Sequence, residues 1–454
     1  MGGRTFAAVD LGASGGRVVA GTIDGDRLQL RTVHRFSNGA TEHDGHLRWN
    51  LLQLHQEVVR GLDRAPEAET IGLDAWGVDY GLLDADGKLL ADPVSHRDDR
   101  TAKVIDEVHA KVDPIEMYRI NGLQFLPFNT LYQLVAEQRG PLWGATAQVV
   151  LIPDLLGYWL TGELRSERTV ASTTGLLDVR SLDWSGELLD RLGIAPGLFP
   201  PIESPGERRG VTRTGRPVVT VGSHDTASAV VAVPAITDRF AYISCGTWSL
   251  VGLELAEPVL SEEARRCNFT NEAGVDGRIR FLRNVGGLWL LQECLRAWGG
   301  DDLHGLLAQA ARLGPYGPQV DVDDPAFVAP GEMPDRIARA AGAGSATSLG
   351  HSGIVRCVLD SLAAAYARTV WEASALSAHP VEVIHMVGGG SRNELLCQLT
   401  ADAAGMTVMA GPAEATAIGN IVVQARAAGA APGTLEAIRA QVGSSIELRR
   451  YEPS

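Results

Sequence analysis

Phe6-Ala7-Ala8-Val9-Asp10-Leu11-Gly12-Ala13-Ser14-Gly15-Gly16-Arg17-Val18-Val19-Ala20 is an apolar run holding one acid, then a turn of small residues, then a second apolar run. That pattern predicts a β-hairpin. An isolated buried carboxylate is too costly to leave bare, so Asp10 must be paired, hydrogen-bonded or set beside a cation. The glycines and serine after it let backbone N–H groups approach a ligand with no Cβ in the way. Together they suggest a phosphate cradle beside a metal-positioning acid. In a dinucleotide-binding unit or a P-loop the glycines would open a helix, whereas here Arg17 to Ile23 continues as strand and turns at Asp24-Gly25-Asp26. The three lysines, Lys88, Lys103 and Lys111, lie outside any glycine loop. On this stretch alone, a plain hairpin turn with a solvated Asp10 remains open.

A second copy changes the weighing. Phe240 to Glu254 is again strand, a small turn at Gly246-Thr247, and strand. Two such units predict a duplicated α/β fold with a nucleotide between the halves.

At 454 residues the chain is longer than one core usually supports, and 45% hydrophobic residues can fill two. The crossing at Pro234 to Arg239 divides it into expected domains 1–236 and 237–454. A net charge of -15 argues against a nucleic-acid or anionic-membrane surface. Five scattered cysteines without a C-x-x-C read as buried thiols in a reducing cytosol. Met1 to Thr5 is too short for a signal peptide, and no run of about 18 apolar residues offers a membrane span. The expectation is a cytoplasmic protein.

Within the first half, Asn50 is placed to cap a helix bearing Leu51, Leu54, Val58 and Leu62. Thr70 to Leu83 places Trp76-Gly77 between Asp74 and Asp79 and between two apolar strands. This is either an exposed strand end or a sugar site, with an indole face against C–H groups, Asp79 accepting from hydroxyls and Gly77 allowing close approach. His96-Arg97-Asp98-Asp99-Arg100 is either a solvated helix start or a contributor to a ligand. Asp154 heads a helix over Ile152 to Gly162 and looks structural. Val218-Val219-Thr220-Val221-Gly222 is a strand ending at Ser223-His224-Asp225-Thr226, the place where α/β sheets put ligands and catalysis; Asp225 as a simple N-cap is the competing reading. In the second half, Gly314 to Pro334, with Pro315, Pro318, Pro325, Pro330 and Pro334, is least regular. Leu349 to Ala378 has the spacing of a long buried helix, and Gly388-Gly389-Gly390 joins a strand to a helix.

These segments resemble the FGGY carbohydrate kinases. The resemblance rests on Val9 to Ser14, Asp74 to Asp79, Gln124-Phe125-Leu126-Pro127-Phe128-Asn129-Thr130-Leu131-Tyr132-Gln133, Ser223 to Thr226, Ser244 to Ser249, Asn284 with Gly287 to Gln292, and Gly388 to Asn393. The Gln124 to Gln133 and Leu288 to Gln292 blocks are most similar to the branch acting on L-rhamnulose. The resemblance implies two ribonuclease-H-like domains of the actin/Hsp70-like ATPase fold around a central cleft, with sugar mainly on the N-terminal and ATP mainly on the C-terminal half. It implies ATP and Mg²⁺ as cofactors and transfer to O1 of L-rhamnulose, with Asp225 as the base. Gly77, Asp79, His224 and Asp225 would meet the sugar; Ala13, Ser14, Gly15, Gly16, Arg17, Thr247, Asn284, Gln292 and Gly389 would meet ATP; Asp10 would position Mg²⁺ through water. Gly15 stands where relatives commonly carry a second hydroxyl. The expected partners are the small-molecule sugar and ATP, with no nucleic acid or membrane, in a monomer or homodimer. Another ketose or polyol such as L-fuculose or xylulose, or an ATPase module without a sugar, are the alternatives.

Overall fold

The computed structural model describes residues 3–300, 302–314 and 318–454; Met1 and Gly2, within the stretch read above as too short for a signal peptide, and Pro315 lie outside them. The chain forms two compact units. One comprises the residues up to Pro234 with Glu254–Phe281 and Ala415–Ser445, the other Ala235–Leu253, Leu282–Glu414 and Ile446–Ser454. The first break falls beside the expected 236/237 division, and two later segments return to the first unit.

The sheet of the first unit runs, edge to edge, Arg208–Val211, Pro217–Val219, Ile71–Ala75, Arg4–Gly12, Gly15–Asp24 and Arg27–Ser37. The last three pair antiparallel, while Ile71–Ala75 and Pro217–Val219 continue parallel. Gly12 faces Gly15, so Ala13-Ser14 is a two-residue hairpin turn. Phe6, Ala7, Ala8 and Val9 are wholly buried because a central strand is covered on both faces, hence its continuous apolar run. Parallel neighbours deliver their C-terminal ends to one edge. Asp10 pairs in register with Asp74, and Ala75 bridges to His224.

A second sheet, of seven strands, runs Thr270–Ala273, Ile279–Gly286, Trp248–Leu255, Phe240–Cys245, Val383–Val387, Thr407–Ala410 and Arg449–Tyr451. Trp248–Leu255 is antiparallel to Phe240–Cys245, the next two strands are parallel and the last is antiparallel. The long helix runs Ala346–Ser377, interrupted at Gly350 with φ 66°. Cys245, Cys294, Cys357 and Cys397 are buried thiols, and Cys267 is half-buried.

The return of the helix Ala415–Ala427 to the first unit has a polar cause. Gln424 donates to the Ala7 carbonyl (3.0 Å) and to Asn420 (2.6 Å), accepts from Thr70 (2.6 Å), and Asn420 donates to Asp74 (2.6 Å). Both amides are fully buried, so losing a partner costs about 1–3 kcal/mol each. Glycine permits the approach: a Cβ at Gly419 would stand 1.8 Å from the Ser228 carbonyl oxygen.

A second buried network fixes Ser223, on the link between the strand Pro217–Val219 and the helix Asp225–Val231. Glu167 Oε2 accepts from Ser223 N (3.0 Å), Val170 N (3.1 Å) and Thr169 Oγ1 (2.5 Å). Behind it, Asp154 takes Glu167 N (3.1 Å) and Arg209 Nη2 (2.7 Å), and Arg209 also bonds Glu203. Burial pushes the Asp154 carboxyl up to about 6 against the pull of Arg209, and the Glu167 carboxyl up to about 7 against its hydroxyl and amide donors.

Gly419→Ala is expected to cost at least about 2 kcal/mol, because the obstructing atom is backbone. Thermal unfolding beside Gly433→Ala, where an added Cβ meets nothing within 4 Å, checks this; equal midpoints for the two variants would contradict the seating of the helix. A carboxyl whose folded value lies above its unfolded one contributes stability that is complete below the unfolded value and lost as pH rises through the folded one. For Glu167 that window runs from its ordinary 4.5 to about 7. Glutamine has no such window, so the deficit of Glu167→Gln in urea unfolding should shrink by roughly 1–3 kcal/mol between about pH 5 and pH 8. A deficit that grows over that range would mean that Glu167 is favourably ionised.

Candidate functional site

Three carboxylates reach one edge of the first unit. Asp10 sits on the innermost strand, nearly buried, and Arg17, its register partner across the hairpin, donates to Oδ2 through Nε (2.8 Å) and Nη2 (2.7 Å). The buried acid is therefore paired, and Arg17, expected at ATP, is engaged with Asp10. Asp74 is wholly buried; burial first, then the charges of Asp10 and Asp225, hold its carboxyl well above the usual range, against the Asn420 donor. Asp225, by contrast, is about one-third exposed at its side chain. It is the first residue of the helix Asp225–Val231, and His224 occupies the capping position without a side-chain cap bond. Asp225 Oδ1 accepts from Thr226 N (2.6 Å) and Oγ1 (3.2 Å), and His224 Nε2 stands 3.5 Å from it.

Gly77 is half-buried in the link between Ile71–Ala75 and Tyr80–Leu83, and these two strands belong to different sheets. A Cβ at Gly77 would lie 2.8 Å from Thr173 Oγ1. The chain turns at Val78, whose φ of 65° is unfavourable for a β-branched residue. Thr173 Oγ1 accepts from Val78 N (3.0 Å), and Thr130 Oγ1 donates to Val78 O (2.7 Å), so side chains on both sides hold the strained peptide.

That turn sends Asp79 inward. Asp79 is fully buried, and its Oδ2 accepts from Trp49 Nε1 (2.7 Å) and Trp76 Nε1 (2.9 Å) and lies 2.9 Å from His96 Nδ1. Burial alone would raise its carboxyl, but His96 and the two indoles hold it below the usual range. In this arrangement Asp79 binds three rings together, with Trp49 against Trp76 at 4.5 Å and His96 against Phe128 at 5.5 Å between centroids. The charge-dense stretch thus contributes His96 to the ring cluster, and Arg100 to Glu137 (2.6 Å) and Gln133 (2.9 Å).

In the second unit, Thr247 is half-buried in the turn of the hairpin, closed by Gly246 N to Trp248 O (2.9 Å). The start of the helix Trp289–Ala297 is bonded to that turn, Leu288 N to Gly246 O (3.0 Å) and Trp289 N to Thr247 O (3.1 Å). Gly287 makes this possible, since a Cβ there would lie 2.4 Å from Thr247 O. Asn284 is half-buried on Ile279–Gly286, and Gln292 is exposed on the helix. The three glycines have separate duties. Gly388, with φ 81°, and Gly390 pack against Cys245, while Gly389 is exposed with nothing within 4 Å of an added Cβ.

Among the described residues no group of three or more His, Cys, Asp or Glu side chains is placed to hold a metal. A single carboxylate such as Asp10, nearly buried and paired with Arg17, suits Mg²⁺ because that ion keeps several waters and takes phosphate oxygens rather than needing a full protein cage. Local sequence patterns do not single out Trp49, Thr173, Glu272 or Arg280, which distant segments bring to the edge.

The chain matches the models of the N-terminal domain (residues 5–231) and the C-terminal domain (residues 241–428) of the FGGY family of carbohydrate kinases. It is 39% identical to a rhamnulokinase of Bacteroides thetaiotaomicron, covering 99% of this chain and 96% of that protein. It is 44% identical to one of Klebsiella pneumoniae, covering 93% and 89%. Among solved structures, xylulose kinase from Rhodospirillum rubrum matches with a TM-score of 0.78 at 18% identity over 99% of this chain and 94% of that one. Plasmodium falciparum glycerol kinase with ADP matches with a TM-score of 0.78 at 16% identity and the same coverage. No helix of the described residues is long and apolar enough to cross a membrane. With family models matching residues 5–231 and 241–428, the chain belongs to the FGGY family of carbohydrate kinases.

Proposed function

We propose that this kinase transfers the terminal phosphoryl group of ATP to O1 of L-rhamnulose, giving L-rhamnulose 1-phosphate and ADP in the cytoplasm. The observation that carries the substrate is 37–44% identity to curated rhamnulokinases over nearly the whole chain. In this reading the first unit holds the sugar and the second mainly the nucleotide.

Asp225, accessible at the start of the helix Asp225–Val231, accepts the proton of the O1 hydroxyl as O1 bonds to the terminal phosphorus and the bond to ADP breaks. A loose phosphoryl transition state needs little more from the protein than aligned donors and a placed acceptor. The N–H groups of Ala13, Ser14, Gly15, Gly16 and the turn at Thr247 serve as phosphate donors, and the missing hydroxyl at Gly15 leaves its backbone donor intact. Asn284, Gln292 and the open face of Gly389 border the nucleotide, and Asp10, its carboxylate fixed by Arg17, would hold Mg²⁺. When bound, Mg²⁺ neutralises charge on the phosphate oxygens. Gly77 and His224 meet the sugar directly; Asp79 acts from behind, holding His96 and the indoles in place.

ADP release from the purified protein with Mg²⁺-ATP, measured against L-rhamnulose, L-fuculose, D-xylulose, L-ribulose and glycerol beside a no-sugar control, tests the assignment. The expected result is a kcat/KM for L-rhamnulose at least about tenfold above any other. A preference for another acceptor would overturn the substrate, and sugar-independent hydrolysis would overturn the kinase reading.

A further inference from the structure

His224 lies against a buried ion pair that the phosphoryl-transfer reading leaves unused. Glu272, on the strand Thr270–Ala273, and Arg280, on Ile279–Gly286, are 2.9 Å apart between Oε2 and Nη2. Arg280 is wholly buried and also donates through Nε to the Ala273 carbonyl (3.0 Å). Its Nη2 is 3.1 Å from His224 Nδ1, and Glu272 Oε2 is 3.2 Å from the same nitrogen. On the other side of the ring, Nε2 faces Asp225 Oδ1 at 3.5 Å, longer than a hydrogen bond. The charged groups around the imidazole are thus Arg280, Glu272 and Asp225.

A guanidinium only donates. Burial alone would raise the Glu272 carboxyl, yet Arg280, the largest opposing influence, holds it below the usual range, so Glu272 is the counter-charge of Arg280. With Arg280 donating to Nδ1, the proton of a neutral ring sits on Nε2, the nitrogen turned towards the base.

We propose that Arg280 and Glu272 are positioning residues that lock His224 as the Nε2–H tautomer, so that Nε2–H donates to the sugar oxygen neighbouring the reacting hydroxyl. The role at the sugar rests on the reading of Asp225 above; the tautomer does not. In a ketose that neighbouring oxygen is on C2, and a fixed donor beside the base favours acceptors with an oxygen there over ones with hydrogen.

Nitrogen-15 NMR of protein labelled at histidine, with the His224 signal assigned by its absence in His224→Asn, reads the ring directly at about pH 8. The expected signature is the Nε2–H tautomer. A proton on Nδ1, donated to Glu272, or a ring still doubly protonated would overturn the proposal. Arg280→Lys keeps the charge and loses the planar fork. It should raise KM for the sugar at least about tenfold and leave KM for ATP within about twofold; equal shifts in both, or none in the sugar's, would mean that the pair only supports the fold. Should Arg280→Lys fail to fold, the wild-type tautomer still decides. The tautomer is read without turnover, so a failed substrate assignment leaves this result standing, and the reverse holds too.

Discussion

The peptide that carries Asp225 depends on one buried carboxylate being fully occupied. Glu167 gathers Ser223 N, Val170 N and the Thr169 hydroxyl on a single oxygen. His224 N is bonded to that same Thr169 hydroxyl (3.2 Å), and Ala75 N to Ser223 O (2.9 Å). Asp225 is the next residue along, so its direction is set by bonds that its own side chain does not make. An accessible acid on a rigid peptide is what proton acceptance during transfer requires: the group must be placed without being neutralised by its supports.

Four acids of the first unit, three at one edge and Asp79 beyond the Val78 turn, differ in character for physical reasons visible in their partners. Asp79, surrounded by His96 and two indole N–H groups, is kept ionised below the usual range despite complete burial. Asp74, equally buried but facing Asp10 and Asp225 with one amide donor, is driven the other way. Asp10 is matched by Arg17 across the hairpin. Only Asp225 combines partial exposure with light local bonding, and this singles it out among the four.

Much of this was legible in the sequence because it is local. The two hairpins declare themselves by an apolar run, a small-residue turn and a second run; the strand read as Val218 to Gly222 is found as Pro217–Val219, with Ser223 to Thr226 leading into the helix Asp225–Val231. The long helix, read as Leu349 to Ala378, is found at Ala346–Ser377. What the sequence hides depends on contacts far along the chain. Nothing near residue 420 announces that Asn420 and Gln424 complete a sheet built from residues 4 to 75, so the membership of Ala415–Ser445 in the first unit is not readable. Asp79 is expected at a sugar because it flanks Trp76-Gly77, an indole beside a residue that allows close approach, between two apolar strands. The left-handed turn at Val78 sends the carboxylate inward instead, to Trp49, a residue no local pattern marks. Glu272 and Arg280 likewise look like ordinary strand charges until folding sets them against His224.

The central claim is that Asp225 is the proton acceptor, and the most direct measurement is turnover of Asp225→Asn with L-rhamnulose, beside calorimetric titration of the same variant with Mg²⁺-ATP. Loss of a placed acceptor predicts kcat lower by at least about two orders of magnitude with ATP affinity unchanged. Near-normal turnover would contradict the assignment, and a parallel loss of ATP affinity would place Asp225 in nucleotide binding instead.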